Sequence, residues 1–394
     1  MNIQEKLNKI KSRHLQVCSR CIYDETVSNI YFDEQGVCNY CLSSDELLEQ
    51  YNTGKEEGRR ELDRIMKQIK HEGRNKKYDC IIGVSGGTDS SYLLHLAVKE
   101  YGLRPLAVHY DNTWNSAIAT ENIRKVLSKL NVDIYTYVVD NKEVDDYVRS
   151  FMLAGVPELD APTDIAAPEI LYRACGKYGV KYVLEGHSFI AEGVSPMGNN
   201  YFDGKYIQDI HKKFGKVKEK TYPNMTFYRF LKWTFFKRIK KIRPLWYITY
   251  SKESAREILE KEYNWVYYGG HHLENRITDF THSYYNPIKF SIDNRNWSLA
   301  AAARNGIMTR EEALEIYCTY LEVDKTLLQY VKKRLELSDE EFERIMNIPK
   351  KSFRDYKTYK KRFELLRPFF YVLAKANLVP MSFYIKYCFP LEKH

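Results

Sequence analysis

The stretch CIIGVSGGTDSSYLLHLAVKEYG, residues 80–102, joins three local patterns within one short segment. An apolar run from Cys80 to Val84 predicts a buried strand, and the apolar spacing of residues 92–98 predicts an amphipathic helix after it. The glycine-containing turn between them, residues 85–90, is typical of a phosphate site, because loop N–H groups and a helix N-terminus both attract anions. We therefore predict a strand, a phosphate loop and a helix.

Short apolar runs alternate with helical patterns around this stretch. The strand-like runs are 78–84, 104–110, 132–139 and 180–184, and helical patterns cover about 89–101, 117–130 and 165–178. Such alternation predicts an α/β fold, a parallel twisted sheet with flanking helices. Beyond about residue 225 the alternation stops, and helical patterns follow at 251–263, 309–322, 324–336, 339–347 and 356–376.

Four of the eight cysteines form two C-x2-C pairs that are separated by 16 residues: Cys18 with Cys21, and Cys38 with Cys41. In a cytosolic chain, paired C-x-x-C units indicate metal ligands before disulfides. Four thiolates suit a tetrahedral Zn²⁺ and leave no open ligand position, so the predicted zinc is structural and not catalytic. An iron–sulfur cluster, which four cysteines can also hold, is the alternative.

The net charge of +9 is concentrated in one segment. Residues 211–252 contain thirteen Lys or Arg and one Glu, so the rest of the 394-residue chain sums to about −3. The basic aromatic part, residues 227–250, predicts an amphipathic helix with a solvated Lys/Arg face. A face for RNA, for an anionic nucleotide sugar or for the inner leaflet of a membrane stays open.

The apolar runs are short throughout. None reaches the ~18 residues that a membrane-spanning helix needs, and the N-terminal segment lacks the apolar core of a signal peptide. We therefore expect a cytoplasmic protein.

The loop at residues 85–90 differs from the common phosphate motifs. It lacks the Lys of a Walker A loop and the G-x-G-x-x-G spacing of dinucleotide sites. The residues SGGTDSS instead resemble the PP-loop of the ATP pyrophosphatase family, S-G-G-x-D-S. In that family the loop cradles the pyrophosphate end of ATP, and the enzyme adenylates a carbonyl oxygen. Gly86 and Gly87 allow close approach of the phosphates, and Asp89 is suited to hold Mg²⁺.

Two other segments reach the same edge of the predicted sheet, where the carboxyl ends of parallel strands face the ligand. The second strand ends in HYDNTW, and the fourth ends in EGHS. His187 is either a structural or a catalytic histidine. The predicted ATP-binding residues are Gly83, Val84, Ser85, Gly86, Gly87, Thr88, Asp89, Ser90, His109, Asp111, Asn112 and Gly186.

More of the chain has a familiar order of motifs. They are APTD (161–164), EGHSFIAEGVSP (185–196), YIQDIHKKFG (206–215), RPLWYITYSK (243–252), WVYYGGHHLENRITDFTHSYYNPIKFSIDNR (265–295) and RNGIMTREEAL (304–314). From Cys18 to about Tyr320 the chain resembles the bacterial WbpG- and PseA-like N-acetyl sugar amidotransferases of the PP-loop superfamily. These act in lipopolysaccharide O-antigen and nonulosonic-acid pathways.

The resemblance implies a specific reaction. ATP adenylates the acetamido group of a nucleotide-activated N-acetyl sugar, ammonia displaces AMP, and an acetamidino sugar results. A separate glutaminase subunit supplies the ammonia, and the chain does not begin with a catalytic Cys of its own. The implied cofactors are Zn²⁺ and Mg²⁺, with ATP as a substrate and no nucleic acid as a partner.

Residue roles follow from the matched motifs. The predicted catalytic residues are Asp89, Asp164 and His187. The predicted substrate-binding residues are Glu192, Lys205, Gly270, His271, His272 and Lys289. The segment HHLEN (271–275) stands where family members tend to have Lys-His followed by Glu-Ser, and Gly-His (186–187) stands where many have Gly-Asn. The identity of the sugar is therefore open.

The order of these patterns along the chain predicts three domains. Residues 1–50 form a four-cysteine zinc-binding module, residues 51–225 a PP-loop ATP pyrophosphatase domain with a helical connector, and residues 226–394 a mainly helical C-terminal domain.

A tRNA-thiolating PP-loop enzyme is the alternative function. It would suit the basic charge, but it usually needs a reactive cysteine in the catalytic domain. That domain offers Cys80 in a strand and Cys175 in a helical pattern, and we predict both to be core residues.

Overall fold

The computed structural model describes residues 5, 8, 14–194, 201–269, 274–319, 324–376, 378–379 and 381–389. Its centre is a sheet of five strands: β1 (Cys80–Gly83), β2 (Pro105–Asp111), β3 (Ile134–Val138), β4 (Tyr182–Leu184) and β5 (Lys240–Ile242). The order across the sheet is β3-β2-β1-β4-β5, and every neighbouring pair is parallel. The predicted α/β class, with a parallel sheet and flanking helices, is confirmed.

The α-helices follow in chain order. They are α1 (Asn39–Tyr51), α2 (Glu56–Gly73), α3 (Thr88–His95), α4 (Ala117–Leu130), α5 (Asn141–Ala154), α6 (Ala161–Tyr178), α7 (Phe189–Glu192), α8 (Gly204–Phe214), α9 (Phe227–Leu231), α10 (Lys252–Tyr263), α11 (Arg276–Phe280), α12 (Arg295–Arg304), α13 (Arg310–Tyr317), α14 (Lys325–Arg334), α15 (Asp339–Met346), α16 (Lys360–Leu365), α17 (Arg367–Lys375) and α18 (Met381–Cys388). Wider π-helical turns at Leu96–Glu100 and Lys232–Phe236 extend α3 and α9, and a longer one at Thr281–Phe290 extends α11.

The strands β1, β2 and β4 are mostly buried on both faces, to which successive side chains of a strand point in turn, whereas the edge strand β3 exposes side chains such as Val138. Cys80 and Ile82 of β1 pack in one cluster with apolar residues of α2, α3, α4 and α10. Ile81 points to the other face and packs with α6 and with Trp233. The apolar runs without polar alternation that the sequence shows are therefore those of a doubly covered parallel sheet.

The basic aromatic segment differs from the single amphipathic helix that its sequence predicts. It divides into α9 with its π-helical turn, the strand β5, and a 3₁₀ turn at Pro244–Trp246. The expectation that strands end near residue 225 is therefore wrong at 240–242. The N–H of Lys240 donates to the carbonyl of Lys181 at 2.8 Å, which joins β5 to β4.

Two helical patterns are shorter than the sequence predicts. The charged residues 45–77, which the sequence predicts to be a helical connector, are interrupted between α1 and α2, where Asn52 and Gly54 have positive φ angles of 46° and 74°. The pattern at 356–376 divides into α16 and α17 around Leu366, and Pro368 occupies the first turn of α17, a position that tolerates proline.

The four-cysteine segment packs against α12 and α13. Its buried cysteines, together with Ile22 and Tyr23, contact Leu299, Ala313 and Tyr317. The guanidinium of Arg310 donates to the carbonyl of Cys18 at 2.8 Å. The first and last thirds of the chain thus share one hydrophobic cluster. Among the described residues, no helix has both the length and the apolar character needed to cross a membrane.

Candidate functional site

The loop between β1 and α3 has the geometry of a phosphate cradle. Gly86 has φ +83°, a conformation that side chains disfavour, and a Cβ there would lie 2.2 Å from the carbonyl oxygen of Ala119. The hydroxyl of Ser85 accepts from the N–H of Gly87 at 3.2 Å. The indole of Trp265 donates to the carbonyl of Gly86 at 3.1 Å. The loop backbone is therefore fixed on both sides.

We expect Gly86→Ala to abolish ATP binding and to lower the melting temperature. The added methyl group would overlap the backbone of α4, and the positive φ would be strained. Isothermal titration with ATP and thermal unfolding measure the two effects. Gly179→Ala is a matched control, because Gly179 has a similar φ of +67° with nothing near the added Cβ. Equal ATP affinity of the two variants would contradict the prediction.

The loop opens into a cavity of about 560 Å³ at the carboxyl ends of the strands. The chain order reverses here, since β2 and β4 lie on opposite sides of β1, and such a switch point is the usual ligand crevice of an open parallel sheet. Gly186 follows β4, and a Cβ there would lie 2.9 Å from the carbonyl oxygen of Asp89. The cavity is lined by Ser85, Gly87, Thr88, Asp89, Ser90, Glu185, Gly186, His187, Ala191, Glu192, Arg243, Lys252, Glu253, Arg256, Tyr267, Tyr268, Glu274, Ser298, Leu299, Ala302, Ile307 and Met308.

Asp89 lies in the first turn of α3, with its carboxylate held by two groups from the end of the basic segment. The hydroxyl of Tyr250 donates to Oδ1, and Nζ of Lys252 lies 3.2 Å from Oδ2. Burial alone would raise the pKa of Asp89, but the charge of Lys252 and the hydrogen bond from Tyr250 outweigh burial and lower it. Asp89 is therefore ionised at neutral pH.

His187 and Glu192 stand beside Asp89. The indole N–H of Trp246 donates to Nδ1 of His187 at 3.2 Å, so Nδ1 is an acceptor and Nε2 carries the proton of a neutral ring. Nε2 lies 3.3 Å from the Glu192 carboxyl group, and Glu192 donates a hydrogen bond to the ionised Asp89. Burial, followed by the nearby charge of Arg243, lowers the pKa of His187 well below its ordinary value.

Glu185 pairs with two cations on the adjacent strand segment. Its carboxylate oxygens lie 2.9 Å from Nζ of Lys241 and 2.7 Å from Nε of Arg243. Although burial opposes ionisation, these two charges lower the pKa of Glu185 strongly. The ion pair with Glu185 fixes Arg243 at the edge of the cavity. The guanidinium carbon of Arg243 also lies 4.7 Å from the ring centroid of Trp246.

Two cations on α10 were not among the residues predicted from sequence. Lys252 and Arg256 are one helical turn apart on the same face, and both line the cavity. The guanidinium of Arg256 stacks on Tyr267 at 4.0 Å, and its buried Nε has no hydrogen-bond partner among the described residues. The i, i+4 spacing at the start of a helix was the available signal, and Lys252 ends the motif RPLWYITYSK.

The segment after residue 273 adds the far side of the cavity. Asn275 forms an antiparallel bridge with Asn115, and the N–H of Ser116 donates to the carbonyl of Glu274 at 2.8 Å. These contacts place the Glu274 carboxylate against the phosphate loop. A Cβ added to Gly87 would lie 3.2 Å from Oε1 of Glu274. The helix α12 adds the small or apolar side chains of Ser298, Leu299 and Ala302.

The residues predicted at the end of β2 lie beside the cavity and not in its lining. Nδ1 of His109 contacts the carbonyl of Val84 at 2.8 Å, which ties β2 to the start of the phosphate loop. Asp111 accepts from the N–H of Thr113 at 2.7 Å. Asn112 is buried, and its amide donates to Thr163 at 3.0 Å. These contacts indicate that the three residues shape the edge around the loop.

Other predicted residues lie farther from the cavity. The predicted substrate contact of Lys289 is corrected by the structure. Its buried ammonium donates to the carbonyls of Ile345, Met346 and Ile348 at 2.8–2.9 Å. It therefore binds the C-terminal end of α15 and does not line the cavity. Lys205 lies on α8, with its ammonium 5.8 Å from the ring centroid of Tyr359.

Asp164 occupies the first turn of α6, is exposed, and does not line the cavity. Gly270, His271 and His272 lie outside the described residues.

The four clustered cysteines fit a tetrahedral metal. The Sγ atoms of Cys18 and Cys41 are 3.9 Å apart, and those of Cys21 and Cys38 are 3.7 Å apart. Zn–S bonds of about 2.3 Å give tetrahedron edges of about 3.8 Å, whereas a disulfide needs about 2.05 Å. All four thiols are buried and lie within 4.8 Å of one another. The cluster can therefore hold a metal ion.

Arg304 lies against this cluster. It is buried, its Nη2 donates toward Sγ of Cys21 at 3.7 Å, and its guanidinium lies 5.2 Å from the ring of Tyr23. Four thiolates around a divalent ion carry two excess negative charges, and a buried cation beside them offsets one. Because Arg304 ends α12, it links the cluster to a helix of the cavity wall.

We expect Cys38→Ser to lower metal content and the melting temperature together, because metal binding at a closed four-cysteine site contributes folding free energy. Metal analysis of the purified protein and thermal unfolding measure both. Cys318→Ser is the matched control, since Cys318 packs near the module but is not one of the clustered ligands. Unchanged metal content in Cys38→Ser, or equal losses in both variants, would be evidence against a metal site.

The fold and the loop together have the arrangement expected of a PP-loop protein: the motif lies between β1 and α3 at the switch point of a parallel sheet. Residues 274–368 match the family model described as LPS biosynthesis protein WbpG-like, C-terminal domain. That segment, 95 of the 394 residues, is therefore similar to the C-terminal domain of WbpG-like proteins, in agreement with the motif resemblance.

Similar proteins were found by sequence and by structure. The uncharacterized protein MJ1599 of Methanocaldococcus jannaschii is 28% identical over 171 residues, which cover 43% of this chain and 58% of that relative. The chain thus spans little more than half of the length of the curated relative that it matches.

Among solved structures, NMN synthetase from Francisella tularensis is 15% identical with a TM-score of 0.32, covering 72% of this chain and 94% of that chain. The NH3-dependent NAD synthetase from Campylobacter jejuni is 14% identical with a TM-score of 0.31, covering 70% and 93%. The U34-tRNA thiolase NcsA from Methanococcus maripaludis, with its [4Fe-4S] cluster, is 12% identical with a TM-score of 0.31, covering 78% and 97%. These low scores carry no conclusion about the substrate of this chain.

Proposed function

We propose that this protein is an ATP-dependent N-acetyl sugar amidotransferase, the synthetase subunit that converts an acetamido group of a nucleotide-activated sugar into an acetamidino group. One observation carries the proposal. The phosphate loop, with ionised Asp89, faces a cavity whose far side is built by Glu274, Ser298 and Leu299 of the WbpG-like segment. ATP chemistry and the part of the chain that characterises the family meet in one cavity.

The pyrophosphate end of ATP would occupy the loop. Its N–H groups and the N-terminus of α3 offer donors to the β- and γ-phosphates. Lys252 and Arg256 project from α10 into the same cavity and add two positive charges against the pyrophosphate that leaves. Asp89 and Glu192 supply neighbouring carboxylates that suit Mg²⁺, and this ion, when bound, neutralises phosphate charge.

The reaction balances in two steps. First, the amide oxygen of the acetamido group bonds to the α-phosphorus of ATP, and the bond to pyrophosphate breaks. Ammonia then bonds to the carbon, and the C–O bond breaks with AMP as the leaving group. The proton that the ammonia loses passes to the departing phosphate oxygen of AMP, and His187 orients Glu192 beside Asp89 through its Nε2. The mainly apolar wall of Leu299, Ala302 and Ile307 keeps water from the activated carbon.

Four further parts of the proposal come from the family resemblance. They are a glutaminase subunit that supplies the ammonia, a place in lipopolysaccharide O-antigen or nonulosonic-acid biosynthesis, Zn²⁺ as the metal of the cysteine cluster, and a cytoplasmic location. The sulfur geometry supports a tetrahedral metal such as Zn²⁺.

The test is pyrophosphate release from ATP. We expect AMP and pyrophosphate in equal amounts when ammonium and one member of a panel of UDP- and CMP-linked N-acetyl sugars are both present. Mass spectrometry of the sugar should show loss of one oxygen and gain of one NH group. Formation of ADP would refute the PP-loop assignment. Turnover that depends on tRNA and not on any sugar would favour the thiolating alternative.

The cysteines give the thiolating alternative little support. Cys80 in β1 and Cys175 in α6 are fully or almost fully buried, as predicted, and burial raises the pKa of both thiols. A thiol that is buried and protonated is a poor nucleophile. Neither residue lines the cavity beside the phosphate loop.

A further inference from the structure

A cluster of exposed apolar side chains lies far in sequence from the phosphate loop. The aromatic patch comprises Phe235, Phe236, Phe369 and Val372, all of them exposed, with Val372 one helical turn after Phe369 on α17; Leu365, at the end of α16, is exposed as well. Phe236, Leu365 and Val372 have 74%, 81% and 63% of their surface exposed. The ring of Phe235 lies 5.2 Å from that of Phe236 and 6.2 Å from that of Phe369, so two separate chain segments build one patch.

Positive charge surrounds the aromatic patch. Residues 227–240 contain five Lys or Arg and no acidic residue, and residues 365–376 contain two and no acidic residue. Lys232, Lys237, Arg238 and Lys375 are exposed. A groove of about 400 Å³ runs between the two segments and is lined by Phe235, Phe236, Arg238, Lys240, Ala376 and Leu378. Aromatic and cationic side chains therefore share one surface.

The position of the patch leaves the cavity open. Residues 235–238 precede β5, so they lie at the amino-terminal edge of the parallel sheet, whereas the cavity lies at the carboxyl ends. A surface that contacts the aromatic patch would therefore not cover the mouth of the ATP cavity.

We propose that the aromatic patch docks this protein on the surface of an anionic lipid bilayer. Phe side chains enter the headgroup region while Lys and Arg side chains reach the anionic headgroups. Each basic residue near such a surface adds to the attraction, which salt screens. A second copy of the chain would bring two positive rims together, which opposes self-association through this surface.

The experiment is sedimentation of the full-length protein with vesicles. Vesicles of phosphatidylcholine with about one third phosphatidylglycerol should bind the protein at low salt, and pure phosphatidylcholine should bind at least about tenfold more weakly. Lys237→Glu/Lys375→Glu and, separately, Phe236→Ser/Val372→Ser should each weaken binding at least about tenfold. ATP-dependent pyrophosphate release should not change, because none of these residues lines the cavity.

Matched controls separate the aromatic patch from general effects. Lys129→Glu/Lys142→Glu makes the same change of charge at exposed positions of α4 and α5. Ile118→Ser/Val138→Ser removes exposed apolar side chains elsewhere. Both should bind vesicles like the wild type. Absence of wild-type binding, or equal weakening by control and patch variants, would overturn the proposal. So would a wild-type dimer that the patch variants dissociate, since a second copy would then be the occupant.

Discussion

Asp89→Asn should reduce pyrophosphate release by about a thousandfold or more while the protein stays folded. The substitution keeps the shape of the side chain but removes the negative charge that the structure places beside Lys252 and the phosphate loop. Preorganised charges at a phosphoryl site contribute roughly 3–4 kcal/mol or more to catalysis. Steady-state pyrophosphate release and thermal unfolding, measured on the same preparation, separate loss of chemistry from loss of fold.

Asp111→Asn is the matched control. Both aspartates were predicted ATP ligands, but Asp111 lies beside the cavity and accepts from the N–H of Thr113, a bond that an asparagine oxygen can also accept. We expect Asp111→Asn to keep activity within a few-fold of the wild type. Near-normal activity of Asp89→Asn would rule out its role at the phosphates, and equal losses in the two variants would contradict the placement of Asp111.

Ammonium should replace the glutaminase, and the rate at fixed total ammonium should rise steeply with pH. The unprotonated form is the nucleophile, and while ammonium dominates its concentration rises about tenfold for each pH unit. The lowered pKa of His187 and that of Asp89 leave both groups in one charge state between about pH 6 and 8. At subsaturating ammonium, the turnover rate should therefore change with pH in proportion to the concentration of unprotonated ammonia. Titration of His187 or Asp89 should not contribute to this change.

Glutamine alone should give no amidine at any of these pH values. The assay compares amidine formation with glutamine, with ammonium, and with glutamine plus an added glutaminase. A rate that is flat with pH would mean that attack by ammonia does not limit turnover. Full activity of the isolated chain with glutamine would contradict the two-subunit proposal.

Much of the sheet could be predicted because buried parallel strands leave a simple signal. Apolar runs at 78–84, 104–110, 132–139 and 180–184 contain the observed β1, β3 and β4 in full and all of β2 except Asp111. The strand β5 could not be predicted in the same way. It has three residues, two of them Lys, and it lies within a basic aromatic segment. Its strand conformation comes from pairing with β4 and not from its own composition.

The site was predictable only where it is local in sequence. The phosphate loop and Gly186 adjoin strand ends, and strand ends share one edge in any parallel sheet. Lys252, Arg256 and Glu274 reach the cavity from later segments, and their approach depends on tertiary contacts such as the bridge between Asn115 and Asn275. Lys289 shows the opposite case: a polar residue within a matched motif serves the backbone of a neighbouring helix.

The pairing of β5 with β4 has a practical consequence for dividing this protein. A fragment that ends near residue 225 would contain the phosphate loop but lack β5. The strand β4, whose three residues are buried in the full chain, would then become an open edge of the sheet. Open apolar strand edges recruit other chains. Such a fragment should therefore accumulate as aggregates, whereas one that continues to Tyr263 would keep both the fifth strand and the helix that carries Lys252.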